Sequence, residues 1–190
     1  VNKIIFLLLL LISCTPDVVI QPEKPFAGRW NNPAWDSILM EKLDLYGKEL
    51  LATEPVDLSG FNGTKVSKEF WANIIIEMAY YESDWKPATS YKESFKDQKG
   101  NYVISRGLLQ ISIESGKGYQ CPLKTENDLH DVAINIECGV RILNRWVSRD
   151  KRIAGKVDNA WRGASRYWSV MRQEEGVPKK STDAIKAANK

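Results

Sequence analysis

Histidine is nearly absent from the chain, with His130 as its one example, and cysteine is limited to Cys14, Cys121 and Cys138. With so few imidazoles and thiols a metal would want for ligands, so no zinc site is expected and no cofactor is implied. Spacing does not forbid a thiol nucleophile paired with His130, but nothing in the sequence favours one. Charge of a single sign is also scarce. Lys and Arg number 27 against 24 Asp and Glu, a net charge of +3 that is too small to argue for nucleic acid. The apolar run Ile4–Ile12 is far shorter than the roughly 20 residues a membrane-spanning helix needs. No internal repeat is present.

That short run follows Lys3 and ends in Leu11-Ile12-Ser13-Cys14. It fits the apolar region of a secretory signal over residues 1–13, and its end looks like a bacterial lipobox in which Cys14 becomes the lipidated first residue. A plain signal with an incidental cysteine, or a core strand, is the blander alternative. Thr15 rather than Asp after the cysteine is compatible with outer-membrane sorting, facing the periplasm; secretion is the other possibility. Export would place Cys121 and Cys138 in an oxidising compartment, where an even pair is expected to form a disulfide worth about 3 kcal/mol.

Residues 14–33 carry Pro16, Pro22, Pro25 and Pro33 without any period, as a tether would. A domain is expected over 34–176 and a Lys-rich tail over 177–190. Asn32-Pro33 reads as a cap followed by proline at the first helical position, opening a helix to about residue 52. Ser67 caps a second helix with Phe70, Trp71, Ile74, Ile75, Met78 and Ala79 on its apolar stripe, ended by Lys86-Pro87. Lys99-Gly100-Asn101 offers a turn between Phe95 and Tyr102-Val103-Ile104, predicting a small hairpin. Gly107 is expected to open a short helix stopping near Gly118. Leu129 to Trp146 keeps a helical period, with Arg141, Arg145 and Arg149 on its outer face. A last helix is expected from about Asn159 to Gln173 through Trp161, Ala164, Trp168 and Met171. The fold class is therefore mainly α, and a monomer is expected. The seven Trp and seven Tyr are scattered, which suits core packing and sugar stacking.

Glu82 follows Trp71, Ile75 and Met78 by eleven, seven and four residues. Those offsets put all three within about 40° of Glu82 on the helix wheel. An acid in an apolar stripe is what a raised pKa requires, and a raised pKa lets a carboxylic acid protonate a sugar leaving group near neutrality. A glutamate that merely ends a helix and points to water is the plainer reading, and Glu77 is a rival acid offset from the stripe. Downstream, Gly107 permits close backbone approach, while Gln110 offers both a donor and an acceptor to the hydroxyl and acetamido groups of an amino sugar.

Tyr81-Glu82-Ser83-Asp84-Trp85 and Ser105-Arg106-Gly107-Leu108-Leu109-Gln110-Ile111-Ser112 together resemble the signature of the transglycosylase SLT domain, a branch of the lysozyme-like superfamily. The resemblance covers roughly residues 65–173 and extends to Asn135-Ile136 with Gly139 and Leu143. It implies a lysozyme-like helical domain (goose-type or SLT) with a possible small β-hairpin, acting on peptidoglycan glycan strands. Glu82 would be the general acid and base at the MurNAc–GlcNAc bond. Gln110 and Tyr167 would position the sugar and the acid, with Ser83 and Ser105 as further polar support. The family's Ala-Tyr-Asn-Ala-Gly motif is replaced by Ala160-Trp161-Arg162-Gly163, and only Tyr167 restores a hydroxyl. The loop between Glu82 and Gly107 is longer than the family usually shows. Asp84, Glu93, Asp97 and Glu114 are available as a second carboxylate, and no spacing singles one out. Attack by the sugar's own O6 would give 1,6-anhydromuramic acid and attack by water a lysozyme. A binding protein that has lost the reaction is the non-enzymatic alternative.

Overall fold

The structure is a computed structural model that describes residues 26–57 and 66–172. The expected signal segment, Cys14, most of the tether and the basic tail lie outside the described residues. Among the described residues no helix is long and apolar enough to cross a membrane.

Asn32 performs the predicted capping. Its side-chain oxygen accepts from the Ala34 and Trp35 amides at 3.2 and 3.3 Å, opening α1 (Pro33–Tyr46). The helix does not run on to residue 52: Gly47 interrupts it, and a single turn, α2 (Lys48–Leu51), follows. The stretch before it is anchored as well. Asp36, itself buried, accepts from the Trp30 indole at 2.6 Å and the Gly28 amide at 3.0 Å. The packed body therefore begins ahead of the proline-rich tether's expected end.

Ser67 Oγ accepts from the Phe70 amide at 3.2 Å and starts α3 (Lys68–Ser83). Its stripe fills the core, Trp71, Ile74, Ile75 and Met78 being fully buried. α3 stops earlier than Lys86-Pro87. Asp84 and Trp85 both adopt left-handed backbone, φ 54° and 56°. Their amides return to the Tyr80 and Ala79 carbonyls, and the Trp85 indole donates to the Ile76 carbonyl at 2.8 Å. Left-handed backbone is unfavourable for residues with a Cβ, so these bonds are what hold the reversal. It leaves Glu82 in the last helical turn.

The predicted hairpin is present as β1 (Ser90–Lys96) and β2 (Tyr102–Arg106), turning at Gly100 with φ 83°. Asp97 shapes the turn by accepting from the Lys99 and Asn101 amides at 2.9 and 2.8 Å. A register irregularity lies between Lys92 and Lys96. A short β3 (Ile111–Ser112) extends the sheet in the order β1-β2-β3. Gly107 does not open a helix, because residues 107–110 form a turn ahead of β3; α4 (Ile113–Gly118) begins after it, capped by Ser112. Past a 3-10 turn (Glu126–His130) comes α5 (Val132–Asp150), capped by Asp131 and packed against α1 and α2. Arg141 on its outer face is not simply solvated: it pairs with buried Glu137 at 2.8 Å and lies 4.1 Å from the Tyr46 ring centre.

The final helix expected over 159–173 does not form. In its place stand β4 (Lys156–Val157), β5 (Ala160–Trp161) and two 3-10 turns, Gly163–Arg166 and Ser169–Met171. Asp158, Asn159 and Gly163 are left-handed, at φ 50°, 59° and 56°. The Gly163 amide goes to the Asp150 carboxylate at 2.8 Å, and Asp150 also holds the Arg166 guanidinium. Ala164, Trp168 and Met171 are nonetheless buried as their spacing promised. The apolar positions were right and the backbone carrying them was not.

Candidate active site

A cavity of about 850 Å³ opens between the end of α3, the β1–β2 hairpin, α4 and the closing 3-10 turns. Glu82, Glu93, Ser105, Gln110, Tyr167 and Trp168 are among its lining residues.

Gln110 in its lining ends the Gly107–Gln110 turn, and the sequence builds that turn from several sides. Gly107 has φ 77°, and a Cβ there would strike the Leu129 carbonyl and the Asn135 side chain. Asn135 is buried, and its amide donates to the Arg106 and Leu129 carbonyls at 3.0 and 2.8 Å and accepts from the Leu109 amide at 2.9 Å. One buried side chain thus satisfies three backbone groups of an irregular segment, which would otherwise cost free energy. Trp168 adds a fourth bond, its indole donating to the Leu109 carbonyl at 2.8 Å. Gly139 admits the Leu109 side chain, which a Cβ would displace.

Ser83 is not on the cavity wall. It is buried, and its hydroxyl reaches the Ala79 and Leu108 carbonyls at 3.0 and 2.9 Å and so fastens the C-terminal end of α3 to the turn. The Glu-Ser pair therefore carries two separate duties. Ser105 does line the cavity, and its hydroxyl donates to Glu93 at 2.6 Å. Gln110 is 8% exposed with φ 47°. Its amide nitrogen donates to the Gly107 and Thr89 carbonyls at 2.7 and 3.3 Å, and its oxygen has no partner among the described residues.

Glu82 is half-buried, in the cavity wall. The rival acid Glu77 is elsewhere: it is 3% exposed, absent from the cavity lining and ion-paired with Arg29 at 2.7 Å. Burial lifts the Glu77 carboxyl above its ordinary value against the pull of Arg29. Tyr167 stands near Glu82. Burial, opposed by polar contacts from Ser115 and the Ser112 backbone, pushes its hydroxyl up to about 12, with further upward pushes from Tyr119 and Glu82. The hydroxyl therefore stays protonated through the neutral range and is available as a donor.

Among the four spare carboxylates, Asp84 pairs with Lys86 at 2.7 Å, away from the cavity, and Asp97 is occupied by the hairpin turn. Asp97 lines the cavity despite that role, together with Glu93 and Glu114. Cys121 and Cys138 are joined as a disulfide, their Cα atoms 5.4 Å apart. His130 bonds the Pro87 carbonyl through Nδ1 at 2.8 Å, tying down the loop after α3. Among the described residues no group of three or more His, Cys, Asp and Glu could hold a metal ion. Trp168 escaped the sequence reading as a site residue, since its spacing spoke only of burial.

A helix-end glutamate in a groove between a mainly helical body and a small antiparallel sheet defines a lysozyme-like domain. The chain belongs to the transglycosylase SLT domain family, whose model matches residues 60–167. Among solved structures, "Bd0314 DslA wild-type form 2" is 42% identical with a TM-score of 0.79, covering 87% of this chain and 96% of that one. A DslA variant with a glutamate replaced by glutamine is 45% identical over 82% of this chain and 88% of that one, TM-score 0.75. A second such variant at another glutamate is 42% identical with a TM-score of 0.79, covering 87% of this chain and 96% of that one. No curated protein matches the chain. Family membership makes this a peptidoglycan enzyme of the lytic transglycosylase type.

Proposed function

We propose that the protein cuts the MurNAc–GlcNAc bond of peptidoglycan with Glu82 as general acid and then base. The observation that carries this reading is the placement of Glu82 in the last turn of an apolar helix, on the wall of a cavity that Tyr167 also lines. Protonated Glu82 gives its proton to the bridging oxygen as the bond to the muramic C1 breaks, and the leaving sugar departs with a restored hydroxyl. The electron-poor C1 is then attacked. If O6 of the same sugar attacks, its proton passes to the Glu82 carboxylate and a 1,6-anhydro ring closes. Tyr167, donating through its neutral hydroxyl, steadies the carboxylate formed midway. Gln110 supports the reading too, because its unpartnered buried oxygen suits the N–H of an acetamido group.

A hydrolytic muramidase is the second reading, and Glu93 favours it. Ser105 fixes this carboxylate in the same cavity, as a base for an attacking water requires. The two glutamates replaced in the DslA variants lie eleven positions apart, as do Glu82 and Glu93. A binding protein without turnover is less well supported, since Tyr167 supplies the hydroxyl that the altered Ala160-Trp161 motif lacks. Export with a lipid anchor at Cys14, toward an outer membrane, belongs to the same proposal; incorporation of labelled acyl chains, lost in Cys14→Ala, tests it.

The central test is Glu82→Gln. Cell-wall solubilisation should vanish while the circular dichroism spectrum and melting temperature stay unchanged; retained activity refutes the assignment. Mass spectrometry of the wild-type digest separates anhydro ends from reducing ends.

A further inference from the structure

The cavity rim carries a charge pattern that bond cleavage does not require. Lys96 and Lys99 of the hairpin, Lys117 of α4 and Arg172 after the last 3-10 turn all line it. Arg172 differs from the lysines in being held. Its Nε donates to the Ser165 carbonyl at 3.0 Å, and its guanidinium carbon lies 5.6 Å from the Trp161 ring centre. Ser165 is fully buried and itself fixed: its hydroxyl accepts from the Gly155 amide at 2.8 Å and donates to the Met171 carbonyl at 2.6 Å. Arg172 makes no ion pair among the described residues, and neither does Lys117.

A guanidinium braced at Nε and on an aromatic face, on a residue that lines the groove, is a preorganised receptor for a carboxylate. Bracing reduces the side-chain entropy lost on binding. Resting on the proposed glycosidase reading, we infer that Arg172, assisted by Lys117, binds a carboxylate carried by the muramic acid side chain. In a glycan stripped of peptide that group is the free lactyl carboxylate; in a substituted strand it is an acidic residue of the peptide. Sugars without the lactyl ether offer nothing to this receptor, so Arg172 distinguishes muramic acid from its unsubstituted neighbour.

The test uses Glu82→Gln protein, so that binding is read without cleavage. Three probes are titrated calorimetrically: a chitooligosaccharide, a peptide-free GlcNAc–MurNAc oligomer and its peptide-bearing counterpart. Adding Arg172→Ala should weaken one or both muramic probes roughly tenfold and leave the chitooligosaccharide unchanged. Which muramic probe responds identifies the source of the carboxylate. Arg172→Lys should recover part of the loss, and added salt should erode the wild-type advantage. Equal weakening of all three probes, or of none, overturns the inference while leaving the groove reading intact. Failure of the parent Glu82→Gln protein to bind any probe overturns both.

Discussion

The environments of single side chains decide which acids and hydroxyls count. Position on the helix wheel separates Glu82 from Glu77 by about 140°, and the structure separates them by kind as well. Glu77 is sealed against Arg29, and Glu82 faces the cavity. The lifted Glu77 carboxyl gives a pH prediction. A folded-state pKa above the ordinary 4.5 means that the native protein binds the proton more tightly, so this residue's contribution declines as pH rises from 4.5. Urea unfolding of wild type and Glu77→Gln across pH 4–7 should therefore show the wild type losing ground to the variant as pH rises; a gap that is flat or moves the other way removes the argument. Tyr167 gives a kinetic prediction. If the hydroxyl steadies Glu82 as proposed, Tyr167→Phe should slow turnover roughly 10- to 100-fold with little change in melting temperature. Because the hydroxyl titrates only near about 12, any alkaline limb of the wild-type rate profile below pH 9 should persist in the variant.

Among the elements, legibility followed how local the signal was. The Asn32 and Ser67 caps, the α3 stripe and the Gly100 turn each depend on neighbours within one or two turns of chain, and all were readable. The closing segment was not. Its periodic Trp161, Ala164, Trp168 and Met171 imitate a helix, yet Asp150 captures the Gly163 amide within that stretch, and Asp57 holds the amides of residues 153 and 154 just ahead of it. The Asp57 bonds span 96 and 97 residues, so no local window contains both of their halves. The Gly107 turn shows the same limit: its glycine and Gln110 were visible, but the Asn135 clamp lies on another element. Two glycines test this account. Gly107→Ala forces a Cβ into the Leu129 carbonyl and Asn135 at left-handed φ, and should cost about 1–3 kcal/mol in urea unfolding. Gly118 meets nothing within 4 Å and has ordinary φ, so Gly118→Ala should be neutral or stabilise by about 0.5 kcal/mol.

For the molecule as a whole, the site is a meeting of segments spread from residue 82 to residue 172, and its precision depends on what locks them together. The Cys121–Cys138 disulfide is one such lock: it joins the chain just beyond α4 to the middle of α5. Between them sits an aromatic relay. Tyr119 accepts from the Trp146 indole at 2.6 Å and packs edge-on to Tyr167, ring centres 6.1 Å apart. Tyr167 in turn neighbours Glu82. Loss of the disulfide should therefore do more than lower stability by the roughly 3 kcal/mol that closing a loop of this length supplies. It should also free α4, and with it Ser115 and Tyr119, to drift from Tyr167. In the Cys121→Ser, Cys138→Ser protein, assayed well below its lowered melting temperature, we expect reduced kcat while the affinity of a chitooligosaccharide falls less. A variant that loses stability yet keeps full turnover would show that the lock serves the fold alone and that Tyr167 is held by the core around Trp168.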